Sequence, residues 1–216
     1  MEKVKDVMAE ITAGANRRDE QGNISLGQRI AWHKDKVAVA ALVANLHSKV
    51  KGIAEDCIKT LDEAANWEPK IVAPHLQAIA ALLTGNNNRM QWGAMAALNA
   101  IAEECPAEMY ALLPQLDEAA RAGSVITRDN YAGILIKLIE YKNRQYAEGV
   151  FDLLKEVLIT CPINQLPTYA AEAIRIGNAL QRSEVIAIIS RRAKDEFDPA
   201  KETKFRRLQE LIRKTK

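Results

Sequence analysis

One apolar pattern occurs four times along the chain, and this repeat limits the possible folds more than any other feature of the sequence. Each copy places Ala first and Ile or Leu four and seven residues later, except that Gly177 takes the last position of the fourth copy. The copies begin at offsets of 40, 38 and 38 residues, at Ala54, Ala94, Ala132 and Ala170. Apolar residues at this spacing share one helix face, so the pattern predicts a repeated helix.

A second helix follows each repeated helix at the same offsets. Its matching positions are Val72, Pro74 and Leu76, then Leu112, Pro114 and Leu116, then Val150, Asp152 and Leu154, and the last copy spans Glu184 to Ala193. A helix pair of this kind cannot bury its apolar faces alone, so neighbouring pairs stack. The sequence therefore predicts an all-α fold, an α-solenoid of stacked antiparallel helix pairs.

Over about residues 48 to 194 the repeat resembles the HEAT family. The resemblance is carried by the Ala and Ile or Leu positions of the first helices and by the proline-bearing second helices IVAPHLQAIAALL and ALLPQLDEAAR. Tetratricopeptide and ankyrin units are shorter, at ~34 and ~33 residues, whereas HEAT units run to ~40 or more. The Asp and Arg ladder that HEAT units often carry cannot be traced through all four copies, which leaves armadillo repeats as the neighbouring option. The resemblance implies a HEAT-like superhelix that presents a binding surface.

Around the repeats we expect two terminal regions. Residues 1–47 are predicted to form amino-terminal capping helices, the first at residues 2 to 13, with a polar loop at 14–24. Ser25 with Gln28 fits a capping box for the next helix, and Asp35 favours a break between His33 and Lys36. Residues 195–216 are predicted to form a basic, amphipathic capping helix after Asp198-Pro199.

Turns are expected where Gly, Asn or Pro interrupts the pattern. Within units these turns are Asn66-Trp67-Glu68-Pro69, Cys105-Pro106, Lys142-Asn143-Arg144 and Gln181-Arg182-Ser183; between units they are Gly85-Asn86-Asn87-Asn88, Gly123-Ser124 and Cys161-Pro162-Ile163-Asn164.

Composition agrees with a helical protein and indicates its compartment. Aromatic residues make up only 5% of the chain, and the remaining apolar residues are mainly those that favour helices. Cys57, Cys105 and Cys161 are sparse and far apart, which is typical of reduced thiols rather than a disulfide framework or a zinc site. The amino terminus lacks the unbroken apolar stretch of a signal peptide, and no run approaches the ~18 apolar residues of a membrane span. We expect a cytoplasmic protein without a membrane span.

No catalytic motif is present. The patterns GxGxxG, GxxxxGK[ST], HExxH and GxSxG do not occur, and the three histidines lack ligand-like spacing. Adjacent carboxylates such as Asp62-Glu63 do not face one another on a helix, so we interpret them as solvated. The sequence predicts a protein that is not an enzyme and that needs no metal or cofactor.

A partner-binding surface is predicted along the second helices, which line the inner face of such a solenoid. Gln77, Asp117 and Lys155 match at offsets of 40 and 38 residues and lie beside the buried stripe. Arg121, Arg191 and Arg192 are nearby candidates. The leading prediction is a non-catalytic scaffold that binds a protein or a peptide with these six side chains.

Two further features give alternatives. Trp32, Trp67 and Trp92 can anchor a peptide or stack on a base if exposed, although we expect them to be buried between units. From Arg191 to Lys216 the chain carries ten Lys or Arg and five Asp or Glu, against a net charge of +2 for the whole chain. A basic tail favours nucleic acid as the alternative partner, and HEAT-like DNA glycosylases share the fold class. Enzymes related to HEAT-like bilin lyases are a third class, by analogy alone.

Overall fold

The computed structural model describes residues 6–12, 20–141 and 146–215, and the described residues are helical without any strand. The helices are α1 (Val7–Glu10), α2 (Gln21–His33), α3 (Lys36–Ala44), α4 (Lys51–Trp67), α5 (Pro69–Val72), α6 (Leu76–Ala80), α7 (Asn88–Ile101), α8 (Pro106–Ala111), α9 (Leu113–Ala122), α10 (Val125–Glu140), α11 (Ala147–Thr160), α12 (Leu166–Ile176), α13 (Ala179–Asp195) and α14 (Glu202–Thr215). Short 3-10 turns occupy Ala73–His75, Ala81–Thr84 and Pro199–Lys201. The predicted all-α class is confirmed.

The chain divides into two compact units, Met1–Ile134 and Leu135–Lys216. In the first unit α2 packs on α4, and α4 packs on α7. A second layer lies against these helices, since α3 and α5 both pack on α4, and α6 packs on α7. Within that second layer α3 contacts α5, and α9 contacts the 3-10 turn at Ala81–Thr84.

Helices α2 and α4 run parallel. Their contacts join residues with a nearly constant separation in sequence: Asn23 with Asp56, Gly27 with Thr60, and Lys34 with Glu68. Antiparallel helices would instead show a constant sum of residue numbers. Gly27 permits the close approach, because a Cβ atom there would lie 2.8 Å from the Thr60 carbonyl oxygen and 2.6 Å from Glu63 Cβ.

Helices α4 and α7 are parallel in the same way. The Asn87 amide, which also caps α7, donates to Glu55 Oε1 at 3.0 Å. Further along both helices, Gly93 lies against the Ile58 side chain. The repeat positions predicted for these two helices, Ala54, Ile58, Leu61, Ala94, Leu98 and Ile101, are all buried.

The second helices are less regular than predicted. Pro74 and Pro114 have no N–H group to continue a helical ladder. Pro74 accordingly sits in the 3-10 turn between α5 and α6, and Pro114 is the second residue of α9, directly after the break between α8 and α9. The second layer of the first unit is therefore made of short helical pieces.

The start of α2 differs from the prediction. The expected polar loop at 14–24 ends earlier, because α2 begins at Gln21, and Ser25 lies inside that helix rather than at its cap. A tertiary contact explains why the helix includes Asn23. The buried Asn23 side chain donates to Asp56 Oδ1 at 2.7 Å and accepts from the Thr12 amide at 2.8 Å. Residues 1–5 and 13–19 lie outside the described part. Within the described portion of the helix predicted at 2–13, Val7–Glu10 is helical.

The break predicted near His33 is confirmed. Helix α2 ends at His33, Lys34 takes a left-handed conformation with φ 50°, and α3 begins at Lys36. The buried Asp35 carboxylate caps α3 by accepting from the Ala38 amide at 3.1 Å.

In the second unit α11 packs on α12 and α13, and α14 packs across α12 and α13 with Phe205 and Leu208 buried. The turn predicted at Gln181-Arg182-Ser183 is wrong, because α13 already begins at Ala179. Asn178 forms a capping box there with Gln181, in which each backbone amide donates to the other residue's side chain. The turn predicted at Lys142-Asn143-Arg144 lies outside the described residues.

Candidate functional site

The six side chains predicted to bind a partner occupy different environments. Gln77 on α6 and Arg191 on α13 are exposed. Asp117 and Arg121 form an ion pair along α9, with the Arg121 Nε atom 2.7 Å from Asp117 Oδ2. Burial, together with the nearby Asp117 carboxylate, raises the pKa of Tyr131. Asp117 and Arg121 therefore pair with each other. Of the three predicted partner-binding residues in the first unit, Gln77 is the exposed and uncharged one.

Lys155 is held by two carboxylates in the second unit. Its ammonium lies 2.8 Å from Asp152 Oδ1 on α11 and 2.8 Å from Glu184 Oε2 on α13. Hydrogen bonds to these two groups raise the pKa of Lys155. The lysine joins α11 to α13 and is only partly available to a partner.

Arg192 does not lie on an accessible surface, contrary to the prediction. Its side chain is buried, and one guanidinium nitrogen donates to the Leu158 carbonyl at 2.8 Å. The other nitrogens donate to both carboxylate oxygens of Glu196, at 2.5 and 2.7 Å. Arg192 therefore links α13 to the carboxyl end of α11 and is removed from the exposed candidates.

Two tryptophans expected to be buried are instead exposed. Trp32 near the end of α2 is 72% exposed, and Trp67 at the end of α4 is 66% exposed. Trp92 alone is half-buried, with the Arg89 guanidinium 5.9 Å from the ring centroid. A burial role for Trp32 and Trp67 is therefore wrong.

Both exposed tryptophans lie at the same end of the parallel pair α2 and α4. The ion pair between Lys34 Nζ and Glu68 Oε2, 3.0 Å apart, ties these two helix ends together. Packed helices have axes ~8–10 Å apart, so the two helix ends that carry the indoles lie at about that separation. Val37 at the start of α3, which follows α2 directly, is 80% exposed. We call Trp32, Val37 and Trp67 the tryptophan edge.

Cations dominate the exposed charge around the tryptophan edge. Lys34, Lys36 and Lys70 are all exposed, and neither Lys36 nor Lys70 has an ion pair with a described carboxylate. The two nearby carboxylates are engaged, since Asp35 is the buried cap of α3 and Glu68 pairs with Lys34. The tryptophan edge thus lies beside two exposed lysines, Lys36 and Lys70, while Lys34 is neutralised by Glu68.

The next helix end in the stack carries the opposite charge. Because α4 and α7 are parallel, the end of α7 at Ile101 lies beside the end of α4 at Trp67. Glu103, Glu104 and Glu108 follow α7 and are exposed. We call these three glutamates the acidic edge.

An open cavity of about 650 Å³ lies between α12, α13 and α14 in the second unit. Ile174 and Ile186 form its apolar side, and Arg182 and Lys214 bring positive charge. Arg182 Nε donates to the Gly177 carbonyl at 2.9 Å, which fixes part of its guanidinium. Its described lining residues include the hydroxyl groups of Ser183 and Thr215 but no carboxylate.

The cysteine thiols are inaccessible. All three cysteines are free and buried. Burial raises the pKa of the Cys57 thiol to about 12, and the neighbouring Asp56 adds to the effect. Within residues 6–12, 20–141 and 146–215, no group of three or more His, Cys, Asp or Glu side chains is placed to hold a metal ion. No helix of the described part is long and apolar enough to cross a membrane.

Sequence reasoning missed Val37, Lys36 and Lys70 and misjudged the two tryptophans. A signal was present for Trp32. The buried stripe of α2 runs through Asn23, Gly27 and Ile30, and continuing that spacing reaches position 34 rather than Trp32, so Trp32 lies off the stripe of its helix. Trp67 gave no such signal, because it shares a helix face with the buried Asp56 and Thr60 and is exposed as the last residue of α4.

Comparison with known proteins gives a likeness of fold. No family model matches the chain, and no curated protein matches its sequence. A solved structure described as the crystal structure of an engineered protein, from the Northeast Structural Genomics Consortium, superposes with a TM-score of 0.55. The match covers 91% of this chain and 90% of that chain at 15% sequence identity. At this identity the likeness concerns the fold alone.

Proposed function

We propose that this protein is a HEAT-like α-solenoid that acts in the cytoplasm as a non-catalytic scaffold and binds a protein or peptide partner. The observation that carries the proposal is the tryptophan edge, where two indoles are exposed at adjacent helix ends. Tryptophan is enriched among residues that dominate binding energy. Exposing it to water has no benefit for folding, so a partner that covers it accounts for its position.

The packing of the first unit supports the solenoid part of the proposal. The parallel helices α2, α4 and α7 are joined by the second-layer helices α3, α5 and α6, as in stacked antiparallel pairs. Three buried free thiols are consistent with a reducing compartment.

Binding would bury the indoles against apolar side chains of the partner, with polar groups setting specificity. Gln77 and Arg191 remain candidates from the second helices because they are exposed. They lie in different units, so each is tested separately from the tryptophan edge.

Selection from a random peptide library displayed on phage tests this proposal. The baits are the wild-type protein, the double variant Trp32→Ser/Trp67→Ser, and Val50→Ser. Val50 is a matched control, because it is 58% exposed but precedes α4 at the opposite end from Trp67. Peptides enriched on wild type should be retained by Val50→Ser and lost by the double variant.

Failure of the wild type to enrich any peptide family would contradict the scaffold function. Enrichment that survives in the double variant and is lost in Gln77→Ala or Arg191→Ala would move the binding site to the second helices. Circular dichroism of each bait shows whether a loss reflects unfolding.

Nucleic-acid binding is the second candidate, and the surface of α14 favours it. Arg206, Arg207, Arg213 and Lys214 are exposed, and none has an ion pair with a carboxylate in the described residues. Contacts of this kind give binding that is insensitive to sequence and weakens steeply with salt. Fluorescence anisotropy with duplex and single-stranded DNA at low salt tests it. An unchanged anisotropy for both probes would exclude this function.

A further inference from the structure

We infer that the cavity between α12, α13 and α14 binds a small phosphate monoester with an apolar body, whose phosphate lies between Arg182 and Lys214. This binding site is additional to the proposed scaffold function and does not depend on it. The cavity lies in the second unit, whereas the tryptophan edge lies in the first.

The size and the apolar side of the cavity fit a small organic molecule. Its volume of about 650 Å³ lies within the ~300–1,000 Å³ of sites that bind ligands of drug size. Three helices bound the cavity, since Ile174 belongs to α12, Ile186 to α13 and Lys214 to α14. The two isoleucines provide apolar surface, so the part of a ligand that lies against them is apolar.

Two cations determine the charge of the ligand. The described lining residues include Arg182 and Lys214 but no carboxylate, and neither cation has an ion pair with a described carboxylate. The Arg182 Nε atom donates to the Gly177 carbonyl at 2.9 Å. This hydrogen bond orients the guanidinium and leaves its two terminal nitrogens to donate to a ligand.

The hydroxyl groups of the cavity donate within their own helices. Ser183 donates to the Ala179 carbonyl at 3.1 Å, and Thr215 donates to the Leu211 carbonyl at 2.8 Å. Because these hydroxyl protons are already engaged, recognition of an anion depends on the two cations.

A phosphate monoester matches this pair of cations. It carries a charge of about −1.5 to −2 at pH 7 and presents three acceptor oxygens. A guanidinium forms a bidentate pair with phosphate, and a lysine ammonium adds a compact positive charge. A carboxylate carries one negative charge and would leave one of the two cations without a partner.

The charges beside the cavity disfavour a polyanion. Two smaller depressions adjoin the cavity, and each shares one of its cations. The other charged lining residues of the first depression are Glu140 and Arg175, which pair with each other at 2.6 Å. Those of the second are Arg207 and Glu210, whose opposite charges balance. The surplus of positive charge is therefore confined to the cavity, which suits a small anion better than nucleic acid or an acidic peptide.

NMR titration of the whole protein labelled with nitrogen-15 tests the inference. Naphthyl phosphate is the main probe, glycerol phosphate lacks its apolar body, naphthoate replaces the phosphate by a carboxylate, and oligo-dT is a polyanion. Naphthyl phosphate should shift the amide signals of Ser183, Ile186 and Thr215. It should bind at least about tenfold more tightly than glycerol phosphate, because the naphthyl group buries apolar surface, and roughly threefold more tightly than naphthoate, because it meets a second cation.

Variants of the cations locate the phosphate. Lys214→Met and Arg182→Met should each weaken binding of naphthyl phosphate roughly two- to fivefold, the size expected for one exposed charge contact. Arg213→Met is the matched control, because Arg213 is the exposed neighbour of Lys214 on α14 and is not among the described lining residues. It should bind naphthyl phosphate like the wild type. Circular dichroism of each variant shows whether a loss of binding reflects unfolding.

Equal affinities for naphthyl phosphate and glycerol phosphate, or for naphthyl phosphate and naphthoate, would overturn the inference. Equal affinities of Lys214→Met and Arg213→Met for naphthyl phosphate would do the same, as would tighter binding of oligo-dT at the same amide signals. Absence of shifts at the cavity with every probe would also contradict it. None of these results involves Trp32 or Trp67, so each leaves the scaffold function standing.

Discussion

Replacing Arg192 by Met should destabilise the protein without altering its binding surface. The side chain is 7% exposed, and its guanidinium donates to the Leu158 carbonyl at 2.8 Å. In a continuing helix that carbonyl would accept from the amide of residue 162, but Pro162 has no N–H. Arg192 supplies the missing donor at the carboxyl end of α11. The Cys161 thiol also faces this oxygen, but at 3.9 Å it is a weak donor.

The magnitude follows from what the substitution removes. Met keeps the apolar stem and much of the volume, so packing is largely retained. A hydrogen bond from a charged group contributes ~1.5–3 kcal/mol, and its loss leaves a buried carbonyl without a strong donor. The ion pair with Glu196, which is 43% exposed, adds only ~0–1 kcal/mol. We therefore expect unfolding to become easier by ~2 kcal/mol, which lowers Tm by ~4–8 °C in a chain of this length.

Thermal unfolding followed by circular dichroism checks this value. Arg191→Met is the matched control, because Arg191 is the exposed neighbour on the same helix and its loss should change stability by less than ~0.5 kcal/mol. The Tm of Arg192→Lys should fall between those of the two Met variants, since an ammonium can donate to the carbonyl but cannot also form a bidentate pair with the carboxylate. Equal melting temperatures for Arg192→Met and Arg191→Met would refute the reasoning.

Three further substitutions test the packing and electrostatics. Gly27→Ala should cost ~1–3 kcal/mol of stability, because the added Cβ would lie 2.8 Å from the Thr60 carbonyl oxygen. Gly85→Ala is the control and should be tolerated, since the nearest atom to its Cβ would be 3.5 Å away. Urea unfolding of the two variants compares their stabilities. Leu98→Ala should cost ~2–5 kcal/mol as a truncation of a fully buried side chain, and a wild-type melting curve would show that the repeat register is wrong. Glu196→Gln should lower Tm at neutral pH, because the hydrogen bond from Arg192 lowers the pKa of Glu196. The stability from this hydrogen bond is complete above the unfolded-state pKa of ~4.3 and is lost as pH falls through the lower folded-state pKa. The Tm difference between Glu196→Gln and wild type should therefore vanish in acid. A Tm difference that persists in acid would contradict this prediction.

Periodicity predicted the core of the first unit well, because burial repeats with the helix. Ala54, Leu98 and Ile101 are buried as expected, and Asp35 caps α3 where the sequence placed a start signal. Features that depend on residues distant in sequence could not be predicted from the local sequence. Asn23 looks like a loop residue, yet Asp56, 33 positions away, satisfies its amide inside α2.

The candidate site was harder to predict than the core. The repeat offsets located Lys155 next to the apolar stripe, and Arg192 was chosen as a nearby candidate, but neither observation carries information on contacts between helices. Lys155 meets Glu184 across 29 positions, and Arg192 meets Leu158 across 34. Hydrophobicity alone also suggested burial for Trp67, although it is the last residue of α4 and is 66% exposed.

Acrylamide quenching of tryptophan fluorescence tests the partner-binding account most directly. In a Trp92→Phe variant the emission comes from Trp32 and Trp67 alone, since the chain has three tryptophans. Both indoles are exposed, so acrylamide should quench them efficiently in the free protein. Saturation with a fluorescein-labelled peptide selected on the wild-type protein should reduce quenching and shift the emission to shorter wavelength. Quenching that stays unchanged while fluorescein anisotropy reports bound peptide would show that the partner binds elsewhere and would contradict the account.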